Sequence, residues 1–361
     1  MVLLCVGDVH IKPTNTHLID ALESQLLEIV ERERVQVIIL LGDILDTFEK
    51  IHTQALNRAY ALIDTLRQHS RVYLLVGNHD LINNQQFLST HHWMNALKDW
   101  RDVTVVDTVH DAHISHPLLP YRIVLVPYVP VQRFQDALDT LDNNWRTAEY
   151  IFAHQEFQGS KMGAIQSAHG DPWPVDAPMV ISGHIHDYQR PQENILYIGA
   201  SVQNNFGDQT DPRVLCIHGP QRQWTEIPLR LPKKKTVYST LEDVQTLDTT
   251  QYVDDPNIDT VRIVVRGDYE QFKTFLKSKQ YETLAASAKC KIVHKPVTHA
   301  TDSAITSEDP SALEQNPAAQ GTFEERLTRH VLERRDEQLY TALRHVAYGD
   351  TSCRAEDLLI V

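Results

Sequence analysis

Five short polar motifs, each lying directly behind an apolar run, constrain this chain more than any bulk property. They are Gly7-Asp8-Val9-His10, Gly42-Asp43-Ile44-Leu45-Asp46, Gly77-Asn78-His79-Asp80, His154 and Gly183-His184-Ile185-His186. Apolar runs at Val35 to Leu41, Val72 to Val76, Ile123 to Val126, Tyr150 to Ala153 and Met179 to Ile181 are short and apolar throughout, as strands buried on both faces are. A helical stripe of Leu18, Leu22, Leu26, Leu27 and Val30 follows the first strand. The alternation predicts an α/β fold with layered sheets inside and helices outside. In such folds the loops at the carboxyl ends of strands converge on one crevice, so side chains distant in sequence gather there. Glycine permits the sharp exit from each strand. In Asp8/His10 and His184/His186 the i, i+2 spacing of an extended segment aims both side chains the same way.

The candidate ligands are Asp8, His10, Asp43, Asn78, His154, His184 and His186, all oxygen or imidazole nitrogen donors. That set suits Mn²⁺, Fe or Zn²⁺ better than a soft-metal site. It exceeds what one ion needs, and a carboxylate such as Asp43 can bridge two ions ~3.5–4 Å apart. Two divalent ions polarise a phosphoryl group and lower the pKa of water, which points to phosphate-ester hydrolysis. Each motif alone could be an ordinary turn; their joint order behind strand ends is the specific signal. His91, His92, His110, His113, His116 and His169 lack that context and read as surface residues.

The rest of the 361 residues divides by composition. Residues 1–235 carry the motifs. Residues 236–297 read as a small βαβ-like layer: a strand from Thr260 to Arg266, a helix from Tyr269 to Lys279 burying Phe272, Phe275 and Leu276, and a strand from Lys289 to Val293. Residues 298–321 hold two prolines and several acids without Lys, Arg or aromatics, and read as a flexible linker. Thr322-Phe323-Glu324-Glu325 is a capping-box signature opening an amphipathic helix over 322–349.

Four scattered cysteines argue against a disulfide framework or a zinc-thiolate site and suggest a reducing, cytoplasmic compartment. No apolar stretch approaches the ~20 residues of a membrane span. Met1 to Val6 lack a basic n-region and read as a first buried strand, not a signal peptide. The net charge of −14 counts against a nucleic-acid partner. Metal ions and local runs such as Lys233-Lys234-Lys235 offset it.

The five motifs resemble those of the calcineurin-like metallophosphoesterases over residues 1 to about 210. The resemblance implies a four-layer α-β-β-α sandwich. Thr47-Phe48 stands where protein-serine/threonine phosphatases carry Arg-Gly, which disfavours that branch. Phe152 to Gly159, and Tyr197 to Asp208 after Gly-His-x-His, are similar to SbcD-type DNA repair and recombination nucleases, including phage and viral versions. By that resemblance one metal takes Asp8, His10, Asp43 and His186, and the other takes Asp43, Asn78, His154 and His184. His79 is the implied non-ligand histidine that assists the leaving oxygen, with Asp46 orienting its imidazole. Some such nucleases carry histidine at the Asp46 position. The resemblance further implies Mn²⁺, exonuclease and single-strand endonuclease activity on DNA, a small α/β capping domain, a homodimer, and docking of an SMC-like coiled-coil ATPase (SbcC-type) by the terminal helix. Two other readings stay open: a small-molecule phosphodiesterase or phosphatase on the same fold, and a scaffold that recruits the ATPase while its metal site is idle.

Overall fold

The computed structural model describes residues 2–114, 121–142, 144–163, 165–218 and 223–296. The expected linker at 298–321 and helix at 322–349 lie outside the described residues. In chain order the strands are β1 (Val2–Val6), β2 (Val37–Leu40), β3 (Arg71–Leu75), β4 (Val103–Val106), β5 (His110–Ile114), β6 (Tyr121–Val126), β7 (Tyr150–His154), β8 (Lys161–Met162), β9 (Ile165–Gln166), β10 (Met179–Gly183), β11 (Gln189–Gln192), β12 (Ile195–Tyr197), β13 (Arg213–His218), β14 (Gln223–Pro228), β15 (Lys233–Thr240), β16 (Ile258–Gly267) and β17 (Cys290–Pro296). The helices are α1 (Thr16–Glu33), α2 (Thr53–Arg67), α3 (Phe134–Leu138), α4 (Thr250–Val253), α5 (Tyr269–Phe275) and α6 (Lys279–Ala285).

Two six-stranded sheets form the body, in the orders β14-β13-β1-β2-β3-β4 and β11-β12-β10-β7-β6-β5. The strands that carry motifs, β1, β2, β3, β7 and β10, lie in the interiors of these sheets and pair in parallel with their neighbours β1-β2-β3 and β7-β10. Period-two alternation explains why they are apolar on both faces along most of their length. Leu3, Cys5, Ile39 and Leu75 meet Ile123, Leu125, Phe152 and Ile181 between the sheets. Leu4, Val6, Ile38, Leu40 and Leu74 face the other way, onto Leu18, Leu22 and Leu26 of α1 and Ala59, Leu62 and Leu66 of α2. Burying each such side chain contributes about 1.5–3 kcal/mol, and the buried polar exception in β10, Ser182, is bonded to the Ala153 and Gln155 carbonyls.

The outer face of the second sheet is covered more thinly. Phe134 and Leu138 of the five-residue α3, with Trp145, Phe157 and Trp173 from turns, lie over Val124, Ile151, Val180 and Tyr197. The architecture is the expected α-β-β-α sandwich, with one outer layer built largely from loops and 3₁₀ turns.

Residues 1–297 form one compact unit that includes a third, three-stranded parallel sheet, β15-β16-β17. Its first strand begins at Lys233, ahead of the expected boundary at 235/236. Val261, Ile263 and Val265 pack under Phe272 and Phe275 of α5 and Leu284 of α6. The single helix expected over Tyr269 to Lys279 is two: α5 ends at Phe275, and the Ser278 side chain accepts from the Tyr281 N–H to cap a new start. That break turns Leu276 outward, 39% exposed, instead of into the core. Asp259 ties the third sheet to α1, with its carboxylate 2.7 Å from His17 Nε2 and 2.9 Å from Lys234 Nζ. No helix among the described residues is long and apolar enough to cross a membrane.

Candidate metal centre

The five motifs leave their strands at one rim and their side chains converge. Asn78 Oδ1 lies 3.0 Å from His154 Nε2 and 2.8 Å from His184 Nδ1. Asp43 Oδ2 lies 3.3 Å from His154 Nε2 and 3.6 Å from His10 Nε2. Asp8 Oδ2 lies 3.9 Å from His186 Nε2, which in turn faces His10 Nε2 at 3.0 Å. Asp8, His10 and His186 thus form one cluster of possible ligands, and Asp43, His154 and His184 another. Asp43 also reaches toward His10 and His79, so it sits between the two.

The loops are held in shapes that few side chains adopt freely. His10 (φ 49°), Asp43 (φ 49°) and His184 (φ 79°) all have left-handed backbone, a local cost of order 1–3 kcal/mol each that persists only where surroundings enforce it. Here the Val9 and His10 N–H groups both donate to Asp43 O, at 3.2 and 2.9 Å. Asp8 Oδ2 accepts the His184 N–H at 3.0 Å. The motif glycines work differently from the sharp-exit expectation. Gly42 alone of the four has positive φ (100°), whereas at Gly77 a Cβ would fall 2.3 Å from Asp43 N and Oδ1. Close approach to the Asp43 carboxylate, not backbone freedom, requires glycine there.

The residues fit a pair of cations. Asp8 and Asp43 are at most 2% exposed, and no Lys or Arg among the described residues pairs with either. Two imidazole nitrogens face each other at 3.0 Å, where at most one can donate a proton to the other. Buried charge of this kind needs a counter-ion or a metal. In the protein alone the strain is electrostatic. Although burial opposes it, the neighbouring His154, His10 and His79 hold the Asp43 carboxyl far below the usual range. Burial likewise opposes charge on His154, but Asp43 lifts it to about 9. Burial, then the adjacent His154, pushes His184 down to about 3.

His79 stands at the edge of this cluster. Its N–H donates to Asp43 Oδ1 at 2.8 Å, and its Nδ1 meets the main-chain carbonyl of Asp46 at 2.8 Å. Asp46 thus meets this ring through its main chain, while its carboxylate lies 3.2 Å from His10 Nδ1 and 2.9 Å from Lys12 Nζ. Burial lowers the pKa of His79, with Asp43 opposing. The Phe48 ring stacks on His79, with centroids 4.6 Å apart.

Two acids escaped the sequence reading. Asp80, fully buried in the third motif, accepts from Ile44 N, Leu45 N, Gly77 N and Trp93 Nε1, and so staples the second and third motif loops together. Burial and the nearby Asp43 raise it to about 6. Asp208 lies 3.6 Å from His186 Nδ1 and caps the Asn204 and Asn205 N–H groups; a partner that orients a ligand imidazole is a recurring device. His92, read as a surface residue, is buried: its Nδ1 accepts from Met94 N and its Nε2 pairs with Asp107 at 3.1 Å. No signal in the sequence separates it from its exposed neighbour His91.

A family model described as "Calcineurin-like phosphoesterase" matches residues 1–272. The chain is 42% identical over 284 residues to "Putative phosphoesterase 244L" of Invertebrate iridescent virus 6, covering 77% of this chain and 98% of that protein. It is 41% identical over 288 residues to "Putative phosphoesterase 078R" of Invertebrate iridescent virus 3, covering 78% and 81%. Among solved structures, a dimetal phosphatase from Danio rerio aligns with TM-score 0.37 and 14% identity over 63% of this chain and 99% of its own. GAP50 of Plasmodium aligns with TM-score 0.37 and 12% identity over 63% and 89%. From the model spanning residues 1–272 and the identity to the two viral proteins, the chain belongs to the calcineurin-like phosphoesterase family.

Proposed function

We propose that this phosphoesterase is a Mn²⁺-dependent DNA nuclease. Asp8, His10, Asp43 and His186 would hold one ion, and Asp43, Asn78, His154 and His184 the other, with Asp43 shared. Bound there, the ions supply Lewis-acid charge and an activated water for attack on phosphorus. The chain's own groups do the rest. Asp208 and Asp8 orient His186 and the His184 loop, and Asp80 fixes the loops that present Asp43 and Asn78. His79, whose Nδ1–H donates to the Asp46 carbonyl, turns Nε2 to the leaving oxygen, to which the ring in its imidazolium form delivers the Nε2 proton, leaving the neutral Nδ1–H tautomer.

The observation that carries DNA over a small ester is one face of the third sheet. Opposite the helices, the register places Arg262 beside Lys291 and Arg266 beside Lys295. None of these four cations has a carboxylate partner among the described residues. Tyr238, 62% exposed, lies under Arg266 with its ring 5.0 Å from the guanidinium carbon. Arg262 lies 4.5 Å over the ring of Phe206, two residues from the Asp208 that touches His186. In a chain of net charge −14, an unpaired basic face with an aromatic group joined to the metal loops suits a phosphate backbone. The expected basic run contributes less, because Lys233 and Lys234 are paired with Asp211 and Asp259.

The resemblance to SbcD-type nucleases supports extending this reading to a homodimer and to an SMC-like coiled-coil ATPase docked through residues 322–349. Co-purification of an ATPase with the full chain, lost on truncation after 297, tests that extension. The nuclease itself is tested on linear and single-stranded DNA with Mn²⁺, Mg²⁺ or Zn²⁺: the wild type cleaves best with Mn²⁺ and the His79→Ala variant fails. Hydrolysis of nucleotide esters with no cleavage of DNA would establish the small-molecule phosphodiesterase instead, the reading that the overall acidity favours.

A further inference from the structure

Ten large hydrophobic side chains are exposed among the described residues, and three of them, Phe48 (39%), Ile51 (39%) and Ile82 (38%), line a single open pocket of about 480 Å³. Exposed apolar groups scattered singly need no explanation, but a cluster around a concavity marks a binding site. The volume is that of a small-molecule site. Trp93 forms another wall, its indole Nε1 fixed by Asp80 at 2.9 Å. At the rim, Asn95 spends its amide nitrogen on the carbonyls of Thr90 and His92, which leaves Oδ1 as an acceptor. The pocket lies beside His79 at the edge of the candidate metal centre, because Phe48, which lines it, is the ring stacked on that imidazole.

We infer that this pocket, walled by Phe48, Ile51, Ile82 and Trp93, receives the nucleobase on the leaving side of the cleaved phosphodiester. The inference rests on the nuclease reading, in which His79 serves the leaving oxygen, and adds to it where the departing nucleoside goes. A flat ring with an N–H group on its edge matches both features of the site: two aromatic side chains and two isoleucines to cover its faces, and a side-chain carbonyl to accept from its edge. A base held there positions the departing sugar oxygen near the imidazole that protonates it. Because every base has an apolar face, the pocket would act without reading sequence.

The test compares three substrates with the Mn²⁺-loaded full chain: dithymidine phosphate and its two analogues in which one or the other nucleotide is abasic. The product, a 3′- or a 5′-phosphate, identifies the leaving side. The expected result is that kcat/KM falls about tenfold when the leaving-side base is missing and much less when the other is. The Ile82→Asp and Ile51→Ser variants should abolish that preference through KM, and a wild-type far-UV circular dichroism spectrum and cooperative thermal unfolding show that they are folded. Equal kcat/KM for the two abasic analogues, or a preference that survives both substitutions, overturns the inference and leaves the nuclease reading intact. Failure to hydrolyse any of the three substrates, or DNA, overturns the nuclease reading and this inference with it.

Discussion

The main-chain carbonyl of Asp46 holds His79 Nδ1 at 2.8 Å, while the Asp46 carboxylate turns away to His10 and Lys12. One residue therefore serves two histidines through different atoms. The side chain is tied to His10, a candidate metal ligand, and the backbone to His79, the proposed acid for the leaving group.

This division separates two phenotypes. Asp46→Asn and Asp46→Ala keep the carbonyl and should weaken metal binding about 10–100-fold, as loss of a ligand-orienting partner does, with activity recovering at high Mn²⁺. His79→Ala should lower kcat by about 10²–10⁴-fold at unchanged metal affinity. Metal titrations followed by kcat at saturation distinguish them; a loss in Asp46→Asn that excess metal does not rescue would contradict the geometry.

Metal should stabilise the fold. Ions that bind only the folded protein add about 2.7 kcal/mol at a hundredfold excess over Kd, so Tm should rise with Mn²⁺ and return to its starting value with chelator. In Asp43→Ala the rise should vanish, since that carboxylate serves both clusters. Differential scanning calorimetry with and without Mn²⁺ is the measurement.

Gly77→Ala places a methyl group against Asp43, where 2.3 Å is available. Crowding of this kind costs about 1–3 kcal/mol and should displace Asp43, the proposed shared ligand, so both Tm and Mn²⁺ affinity fall. Gly207→Ala, where a Cβ would meet nothing within 4 Å, should leave both close to wild type and serves as the control in the same assays.

The Arg122 guanidinium, bonded to the Asp111 carboxylate at 2.7 and 2.6 Å, holds that carboxyl below its ordinary range. A depressed carboxyl contributes stability that is present above its unfolded pKa of about 3.9 and is lost as pH falls through the lower folded value. Urea midpoints of wild type and Asp111→Asn should therefore differ at pH 6 and converge below about pH 4. A gap that persists unchanged into acid would show that the pair contributes through packing alone.

Cations on the third sheet should set the salt dependence of DNA binding. Every phosphate that a cation neutralises steepens the fall of log K with log salt by about 0.7–0.9. Arg266→Gln and Lys295→Gln should each flatten the slope by about that amount while metal binding stays unchanged. An unaltered slope in the double variant would place the DNA elsewhere.

The motif-bearing strands were legible because burial on both faces keeps them apolar along most of their length, and because each leads into a residue type rare in such company. The edge strands β4, β5, β11 and β14 were not, since a half-exposed strand carries a mixed pattern that tertiary neighbours decide. Leu276 shows the same limit: its helical phase pointed inward until the Ser278 cap restarted the helix and turned it to solvent.

The chain of residues alone determined which donors are available and that they leave strands at a common rim, because residue type and the two-residue period of a strand are local properties. Only the tertiary structure decided which atom meets which. That Asp46 serves His79 by its carbonyl, that Asp80 staples two loops, that His92 is buried, and that Arg262 lies over Phe206 all depend on segments far apart in the chain meeting in space, at distances no local pattern encodes.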